Sequence, residues 1–330
     1  MQRTRIAVIA TVIAAAMLIP AAPAAATPVV HKPQVSGVSA REYWTPERMR
    51  EARPRHVRRA ARPAALDSPD AADVGPAVID PATSRPPRPP TLSARISAPP
   101  FESGQVPPAE MTTYPYSANG RLYGTFRPGG PYSCSATVIN SPSRSVVLTA
   151  GHCVYERKLG WARNIVFVPA YLQGEQPFGT WKATRVAATR GWVRSENFHG
   201  DYSAIKLSSP SGPVGEVVGE EGLVWNQPRE QLFQAIGYPF NRGRTELMWN
   251  CISASLGADP FDRSRGKADT GIGCDMGGGS SGGGWTIRDS DGNAYVNGLT
   301  SFSYNQPKNV LFSPYLTGKV VGIVNQANGG

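Results

Sequence analysis

A histidine and a serine of this chain stand in contexts that suit nucleophilic chemistry. His152 follows an apolar, strand-like run within Ser145-Val146-Val147-Leu148-Thr149-Ala150-Gly151-His152-Cys153. Ser281 lies in Gly279-Ser280-Ser281-Gly282-Gly283, where glycines let the backbone turn sharply and aim its N–H groups at one point. With an acidic residue between them, the two motifs predict acyl transfer: serine attacks, histidine takes its proton, and a carboxylate orients the histidine.

His152 is the predicted general base. A serine hydroxyl is a weak nucleophile at neutral pH and needs a base whose pKa lies near the working pH, which histidine provides. His31 and His56 lie in an N-terminal region that we expect to be removed, and His199 lacks the strand-then-cysteine context of His152. We therefore expect a structural or surface role for His199.

Ser281, rather than Ser280, is the predicted nucleophile. Gly279 has no side chain to block its N–H, so that this N–H and that of Ser281 would form an oxyanion hole. The stretch also satisfies the G-x-S-x-G pattern of α/β-hydrolases, whose triad runs serine, acid, histidine. No histidine follows Ser281 in the chain, which argues against that fold. Taken alone, the stretch is also compatible with a flexible Gly/Ser loop.

Three segments together resemble the chymotrypsin-like (trypsin-like) serine proteases. Residues 149–153 resemble the histidine motif of that family, residues 279–283 its GDSGG serine motif, and residues 200–207, Gly-Asp-Tyr-Ser-Ala-Ile-Lys-Leu, its aspartate segment. The order His152, Asp201, Ser281 is also the family's order. The resemblance covers roughly residues 111–330 and is nearer to the secreted bacterial branch that includes the glutamyl endopeptidases than to the animal digestive enzymes.

The resemblance implies an all-β fold of two packed six-stranded antiparallel β-barrels with the active site in the cleft between them. The residues themselves indicate only short strands after residue 111, because short apolar runs alternate with Gly, Pro, Asn and Ser. Periodicity cannot choose between a sandwich and a barrel. In the implied fold the first barrel supplies His152 and Asp201, and the second supplies Ser281.

Two supporting roles also follow from the resemblance. Asp201 would accept a hydrogen bond from the Nδ1–H of His152, which fixes the tautomer and stabilises the imidazolium. From the residues alone, an aspartate before a strand is equally a common turn residue. Ser301 resembles the serine that supports this aspartate, and its strand would pair with a bound peptide as an added strand.

The cysteines predict disulfides rather than a metal site. The chain has four of them: Cys134, Cys153, Cys251 and Cys274. An even count in an exported chain suggests two disulfides, for which three pairings exist. A zinc site is disfavoured because no CxxC pair occurs. The resemblance pairs the first cysteine with the second, which leaves the third with the fourth. We expect no metal and no cofactor.

The site departs from the family pattern at its specificity positions. Ser280 stands where the digestive enzymes carry an aspartate that binds the new N-terminal amine, so we do not expect that activation route. Asp275 lies six residues before Ser281, where trypsin-like enzymes place the acidic floor of the S1 pocket. Cys274 breaks their spacing, and glutamyl endopeptidases carry a similar aspartate without using it for a basic residue. We favour a structural Asp275 over an S1 role. The P1 preference stays open, because the pocket histidine of the glutamyl enzymes is absent from residues 296–303.

The N-terminal third divides into segments that we expect to be removed. Residues 1–26 have the features of a secretory signal, since Arg3 and Arg5 precede an apolar run that ends in three alanines. Residues 27–108 are interpreted as a propeptide with a plausible helix over 45–61, followed by a Pro/Ala-rich linker that cannot bury a core. A permanent disordered tail is the alternative. The protease domain then spans residues 109–330.

The net charge of +10 does not by itself indicate nucleic acid. Arginines crowd residues 41–62, before the catalytic motifs, and no basic run interleaved with aromatic residues follows. We interpret the charge as a matter of solubility. We expect protein or peptide substrates, no nucleic acid, no membrane in the mature form, and a monomer.

The sequence thus predicts a secreted, extracellular serine endopeptidase that works through an acyl-enzyme. The alternative is a catalytically silent protease-fold module that binds peptides or surfaces. It stays open because a triad in the sequence does not guarantee an assembled oxyanion hole.

Overall fold

In the computed structural model of the chain, residues 27–35, 39–59, 77–79, 99–242, 246–262 and 267–329 are described. The predicted signal peptide lies outside them. The body consists of two antiparallel β-structures packed side by side, with a C-terminal helix against the first. No helix in the described ranges is long and apolar enough to span a membrane.

The first β-structure is a closed barrel of six antiparallel strands. Its strands are β6 (Asn119–Phe126), β7 (Gly130–Ile139), β8 (Val146–Thr149), β11 (Arg163–Pro169), β12 (Trp181–Ala188) and β13 (Ser203–Ser208). They neighbour one another in the order β11-β6-β7-β8-β13-β12, and β12 pairs back with β11. Apolar β8 is buried along its whole length, which fixes the end of the strand that leads to His152.

The second β-structure is built from six further strands. They are β15 (Leu232–Gly237), β16 (Trp249–Ala258), β17 (Thr270–Gly273), β18 (Gly284–Arg288), β19 (Ala294–Leu299) and β21 (Val310–Ser313). They run in the order β21-β17-β16-β15-β18-β19. The ends meet where the Leu299 N–H donates a 2.8 Å hydrogen bond to Ser313 Oγ. The predicted all-β two-barrel fold class is confirmed.

Shorter elements surround these two bodies. The remaining strands are β1 (Val29–His31), β2 (Arg53–Pro54), β3 (Arg58–Arg59), β4 (Ala77–Ile79), β5 (Phe101–Gln105), β9 (Tyr155–Glu156), β10 (Gly160–Trp161), β14 (Gly222–Trp225) and β20 (Ser303–Tyr304). The α-helices are α1 (Ala40–Tyr43), α2 (Pro46–Glu51), α3 (Arg190–Ser195), α4 (Val214–Val218) and α5 (Lys319–Asn328), and short 3-10 helices cover Tyr116–Ala118, Gly151–Cys153 and Phe198–Gly200.

The N-terminal residues that the structure describes pack on the body. The buried Trp44 donates its indole N–H to the Asn164 carbonyl at 2.6 Å. Helix α2 begins after its cap Thr45, as predicted, but ends at Glu51 rather than near residue 61. Pro54 disfavours helical backbone at the residue before it, and the chain continues there as β2. Strand β5, which falls within the predicted linker, pairs with β16.

The two barrels meet along β7, which carries polar groups toward residues 279–284. The Ser135 N–H donates to the Ser281 carbonyl at 2.7 Å, and Ser135 Oγ donates to the Gly279 carbonyl at 2.9 Å. Thr137 Oγ1 accepts a hydrogen bond from the Gly284 N–H at 3.0 Å. These bonds hold residues 279–284 of the second barrel against the first barrel, beside His152.

Candidate active site

His152 and Asp201 form a buried, doubly hydrogen-bonded pair. His152 lies in the 3-10 turn that follows β8, and Asp201 follows the 3-10 turn Phe198–Gly200. Asp201 Oδ2 lies 2.8 Å from His152 Nδ1, while Oδ1 accepts the His152 backbone N–H at 2.7 Å. The exposed fractions are 1% for His152 and 0% for Asp201. One carboxylate therefore fixes both the ring and the backbone of the histidine.

Ser301 supports this aspartate from the second barrel. Its hydroxyl donates to Asp201 Oδ2 at 2.5 Å, and its side chain is buried. Asp201 Oδ2 thus faces both the Ser301 hydroxyl and the His152 ring. These two contacts hold the carboxylate in one orientation.

The serine loop, residues 274–283, takes its shape from glycines that no other residue could replace. Gly279 has φ +96° and Gly282 has φ +81°, both in the left-handed region. A Cβ at Gly282 would lie 2.1 Å from Thr149 Oγ1, so the loop approaches the first barrel too closely for a side chain. The loop is therefore a tightly packed turn and not an open Gly/Ser linker.

The two adjacent serines of this loop face different surroundings. Ser280 Oγ donates to the Gly277 carbonyl at 2.7 Å, inside its own turn. Ser281 Oγ instead points to a carbonyl in the cleft, that of Arg55, at 3.3 Å. These contacts favour Ser281 over Ser280 as the reactive serine, and that assignment stays a prediction. Within the described part of the chain His152 Nε2 has no hydrogen-bond partner.

The same Arg55 carbonyl accepts a hydrogen bond from the N–H group predicted to form the oxyanion hole. The Gly279 N–H donates to it at 2.7 Å, the distance expected of a preformed oxyanion donor. One carbonyl oxygen therefore contacts both the Gly279 N–H and the Ser281 hydroxyl. The contribution of the Ser281 N–H stays a prediction.

The chain's own residues 53–59 pass through the cleft around this carbonyl. Strand β2 pairs in parallel with β7, and β3 pairs in parallel with β20. Between them the Arg55 N–H donates to the Ser133 carbonyl at 2.9 Å, and the Ser303 N–H donates to the Val57 carbonyl at 3.2 Å. The segment thus adds a short strand to an edge of each barrel. We call residues 53–59 the cleft segment.

The side chain of Arg55 anchors the cleft segment on the β7 side. Its guanidinium forms an ion pair with Glu156 and lies 5.2 Å from the ring centre of Phe126 and 5.8 Å from that of Tyr132. Burial lowers the pKa of Arg55, which the neighbouring groups only partly offset. The acidic and aromatic surroundings suit a buried cation.

Asp275 is engaged by groups of its own chain. It forms an ion pair with Arg242, and the Ser103 hydroxyl donates to its Oδ1 at 2.7 Å. The Asn241 amide also donates to its backbone carbonyl at 2.9 Å. These contacts favour a structural role for Asp275 over a role in the S1 pocket, and the choice between the two stays a prediction.

Both predicted disulfides form. Cys134 of β7 is bonded to Cys153, the residue after His152, and Cys251 is bonded to Cys274, the residue before Asp275. The first disulfide therefore ties the histidine turn to β7.

His199 lies outside the triad. Its Nδ1 is 3.0 Å from Asp269 and its Nε2 is 3.2 Å from Asp262. Burial lowers the pKa of His199, but the hydrogen bond and charge of Asp269 raise it more, so that the net direction is upward.

Sequence reasoning missed the cleft segment. The stretch Arg-Pro-Arg-His-Val-Arg-Arg has no alternating apolar pattern. It falls within the helix predicted over residues 45–61, and its charge is assigned to solubility. A usable signal is the Pro at position 54, which ends the helix and forces extended backbone, followed by spaced arginines. Its pairing with β7 and β20 depends on residues far away in the chain.

Comparison with known proteins agrees with this geometry. The family model described as Trypsin matches residues 105–315. Since the match covers more than half of the chain, the chain belongs to the trypsin family.

Individual relatives are bacterial proteases. The crystal structure of protease Anisep from Arthrobacter nicotinovorans is 31% identical with a TM-score of 0.58, and the match covers 65% of this chain and 96% of that one. A glutamyl endopeptidase of Bacillus licheniformis is 35% identical over 112 residues, which are 34% of this chain and 32% of that protein. An extracellular metalloprotease of Bacillus subtilis is 36% identical over 109 residues, 32% of this chain and 34% of that protein. The chain spans about a third of the length of these two curated relatives.

Proposed function

We propose that the chain is a secreted serine endopeptidase whose triad is Ser281, His152 and Asp201, and that it is made with its cleft closed by residues 53–59. The observation that carries the proposal is the Arg55 carbonyl, which contacts the Gly279 N–H and the Ser281 hydroxyl as a scissile carbonyl would. The neighbouring His152–Asp201 pair supplies the base.

In the first half-reaction Ser281 Oγ attacks the substrate carbonyl carbon while His152 Nε2 takes the hydroxyl proton. The carbonyl electron pair moves onto oxygen, where the Gly279 N–H stabilises it. Asp201 balances the imidazolium charge through its bond to Nδ1. The C–N bond then breaks, His152 returns the proton to the leaving amine, and the acyl group stays on Ser281.

In the second half-reaction water replaces the amine. His152 takes a proton from the water, whose oxygen attacks the acyl carbon, and the proton returns to Ser281 Oγ as the ester bond breaks. A carboxylic acid leaves, and the enzyme is restored. These steps use residues of this chain, the substrate and one water molecule.

The cleft segment accounts for latency in a secreted protease. Its Arg55 carbonyl occupies the position where a substrate carbonyl would be attacked, and its two short strands cover β7 and β20. A substrate must displace it, or it must be removed. This supports interpreting residues 27–108 as a propeptide and linker.

The direction of the cleft segment makes it a poor substrate. His152 is tied to the β7 side by the disulfide next to it, so that a leaving amine needs to be on that side to receive the proton. In the segment, the part before Arg55 lies over β7, and the part that would leave, from His56 onward, runs to β20. A peptide of the opposite direction would pair antiparallel with both strands, which is slightly more stable per residue.

Burst kinetics test the catalytic proposal. The protein recovered from the culture medium should release the first product of a p-nitrophenyl ester in a burst equal to its active sites, followed by slower turnover. Ser281→Ala and His152→Ala should each lose more than about a thousandfold in kcat, with an unchanged melting temperature. Absence of hydrolysis by a folded, processed protein would instead favour the silent binding module.

N-terminal sequencing tests the latency proposal separately. An active secreted form should begin after residue 59. Full activity in a form that begins at Thr27 would contradict it.

A further inference from the structure

An aromatic and acidic pocket holds the last arginine of the cleft segment. The Arg59 guanidinium carbon lies 4.7 Å from the ring centre of Phe198, 4.8 Å from that of Phe302 and 5.9 Å from that of Tyr304. One of its nitrogens lies 3.7 Å from Asp269 Oδ2. The Arg59 side chain is 12% exposed, whereas Asp269 is fully buried. We call the surroundings formed by Phe198, Phe302, Tyr304 and Asp269 the cation pocket.

Asp269 is the acidic group of the cation pocket; burial raises its pKa, and the hydrogen bond and charge of His199 and the charge of Arg59 offset part of that rise. His199 binds Asp269 and Asp262, so that two carboxylates face one imidazole. A guanidinium in the pocket therefore faces the Asp269 carboxyl group, which lies beside the His199 ring. The faces of the surrounding aromatic rings add attraction for a desolvated cation.

The walls of the pocket are fixed by the fold and do not depend on Arg59. The rings of Phe198 and Phe302 meet edge to face, with their centres 5.0 Å apart. Phe302 also stacks on Phe312 of β21, with the ring centres 5.2 Å apart. The Tyr304 hydroxyl donates to the Asp259 carboxylate at 2.7 Å. Removing the segment would therefore open a preformed site at the surface of the cleft.

The position of the pocket relative to Ser281 decides which substrate residue can reach it. Arg59 lies four residues from Arg55, whose carbonyl contacts the Ser281 hydroxyl, and it lies on the β20 side. The part of a substrate that leaves as the amine lies on the β7 side. The part before the scissile bond, which forms the acyl-enzyme, therefore lies along β20. The residue facing the pocket is then about the third or fourth before the scissile bond.

Resting on the proposed function, we propose that the cation pocket is a specificity subsite that selects an arginine or lysine about three to four residues before the cleaved bond, and that Arg59 occupies this subsite in the precursor. Its selectivity is independent of Asp275 and of the residue at the cleaved bond. The pocket thus serves both to hold the cleft segment and, once it is vacated, to choose substrates.

Positional peptides test the selectivity. A fluorogenic peptide series carries arginine, citrulline, alanine or glutamate at the third or fourth residue before one fixed cleavage site. For the protein from the culture medium, kcat/KM should be about tenfold higher with arginine than with its neutral isostere citrulline. In Asp269→Asn this ratio should fall to near one. Each variant's own alanine peptide corrects for the fraction of folded enzyme.

Hydrogen exchange tests the pocket without catalysis. In the full chain carrying Ser281→Ala, Arg59→Ala should raise the exchange of residues 53–59 about tenfold, because the guanidinium loses its acid and its rings. Arg53→Ala is the matched control, since this arginine is exposed on the same segment, and it should change exchange less than twofold.

The outcomes separate the pocket from the proposed catalysis. Hydrolysis of the alanine peptide reports the endopeptidase itself, so its absence refutes the proposed function while the exchange measurement still decides on the pocket. Equal rates for arginine and citrulline overturn the subsite. So does exchange in Arg59→Ala that matches the Arg53→Ala control.

Discussion

Acid is expected to loosen the cleft segment through His56. The Nε2 of this histidine accepts a hydrogen bond from Arg58 Nε at 3.2 Å and lies 3.2 Å from Ser303 Oγ. Burial, together with the charges of Arg58 and His152, lowers its pKa from 6.5 to about 4. A proton on Nε2 would face the Arg58 donor instead of accepting from it.

The direction and size of this weakening of docking follow from the pKa of His56, which is lower in the docked segment than in the released one. The docked segment binds fewer protons than the released one, so docking is strongest above pH 6.5 and weakens as the pH falls toward 4. The pKa of His56 differs between the released segment (6.5) and the docked segment (about 4). At 1.36 kcal/mol for each pKa unit, this difference limits the loss of docking free energy in acid to about 3 kcal/mol. Because the ring is only partly buried, we expect about 1–2 kcal/mol, roughly a tenfold shift toward release at pH 4.5.

Hydrogen exchange of residues 53–59 measures this release in the full chain with Ser281→Ala. Rates corrected for intrinsic exchange should rise about tenfold between pH 7.5 and 4.5, while the amides of β8 stay protected. His56→Gln cannot gain the proton and should show a flat profile. Protection of the segment that is independent of pH, or equally dependent in His56→Gln, would refute the reasoning.

Three further outcomes are expected. Gly279→Ala should lower kcat about a hundredfold or more at a nearly unchanged KM, because φ +96° does not suit alanine and the oxyanion donor turns away; a kcat near that of the parent would contradict this assignment. Ser301→Ala removes the 2.5 Å bond to Asp201 and should lower kcat/KM about tenfold, with Ser301→Thr partly restoring it; equal loss in both would indicate a packing effect. Arg55→Ala removes the ion pair with Glu156 and should speed fluorophosphonate labelling of the full chain about tenfold, whereas an unchanged rate would disprove its role as an anchor.

Local motifs were enough to propose the reactive residues. His152 and Ser281 could be proposed because the residues next to them mark each one. His152 follows the end of an apolar strand, and Ser281 lies between glycines that adopt positive φ. The cysteine pairing and the two-barrel fold required the family resemblance, since spacing alone left three pairings and periodicity left two all-β architectures. Asp201 also needed the resemblance, because its bond to His152 joins residues 49 positions apart.

Features that depend on distant pairing could not be predicted from the sequence. Strands β2 and β3 are two residues each and acquire their structure only from β7 and β20. Strand β5 lies after a Pro/Ala-rich stretch and is defined by its pairing with β16. Asp269 shows no local sign of its contact with Arg59. The aromatic rings around that guanidinium come from two separate segments, Phe198 from one and Phe302 and Tyr304 from the other.

The central claim is that Ser281 is the activated nucleophile, and covalent labelling tests it most directly. The protein recovered from the culture medium is treated with a fluorophosphonate probe and digested, and the modified residue is located by mass spectrometry. We expect a single adduct on Ser281, retained in Ser280→Ala and absent from Ser281→Ala. An adduct on Ser280, or no adduct on folded protein that lacks residues 53–59, would contradict the account.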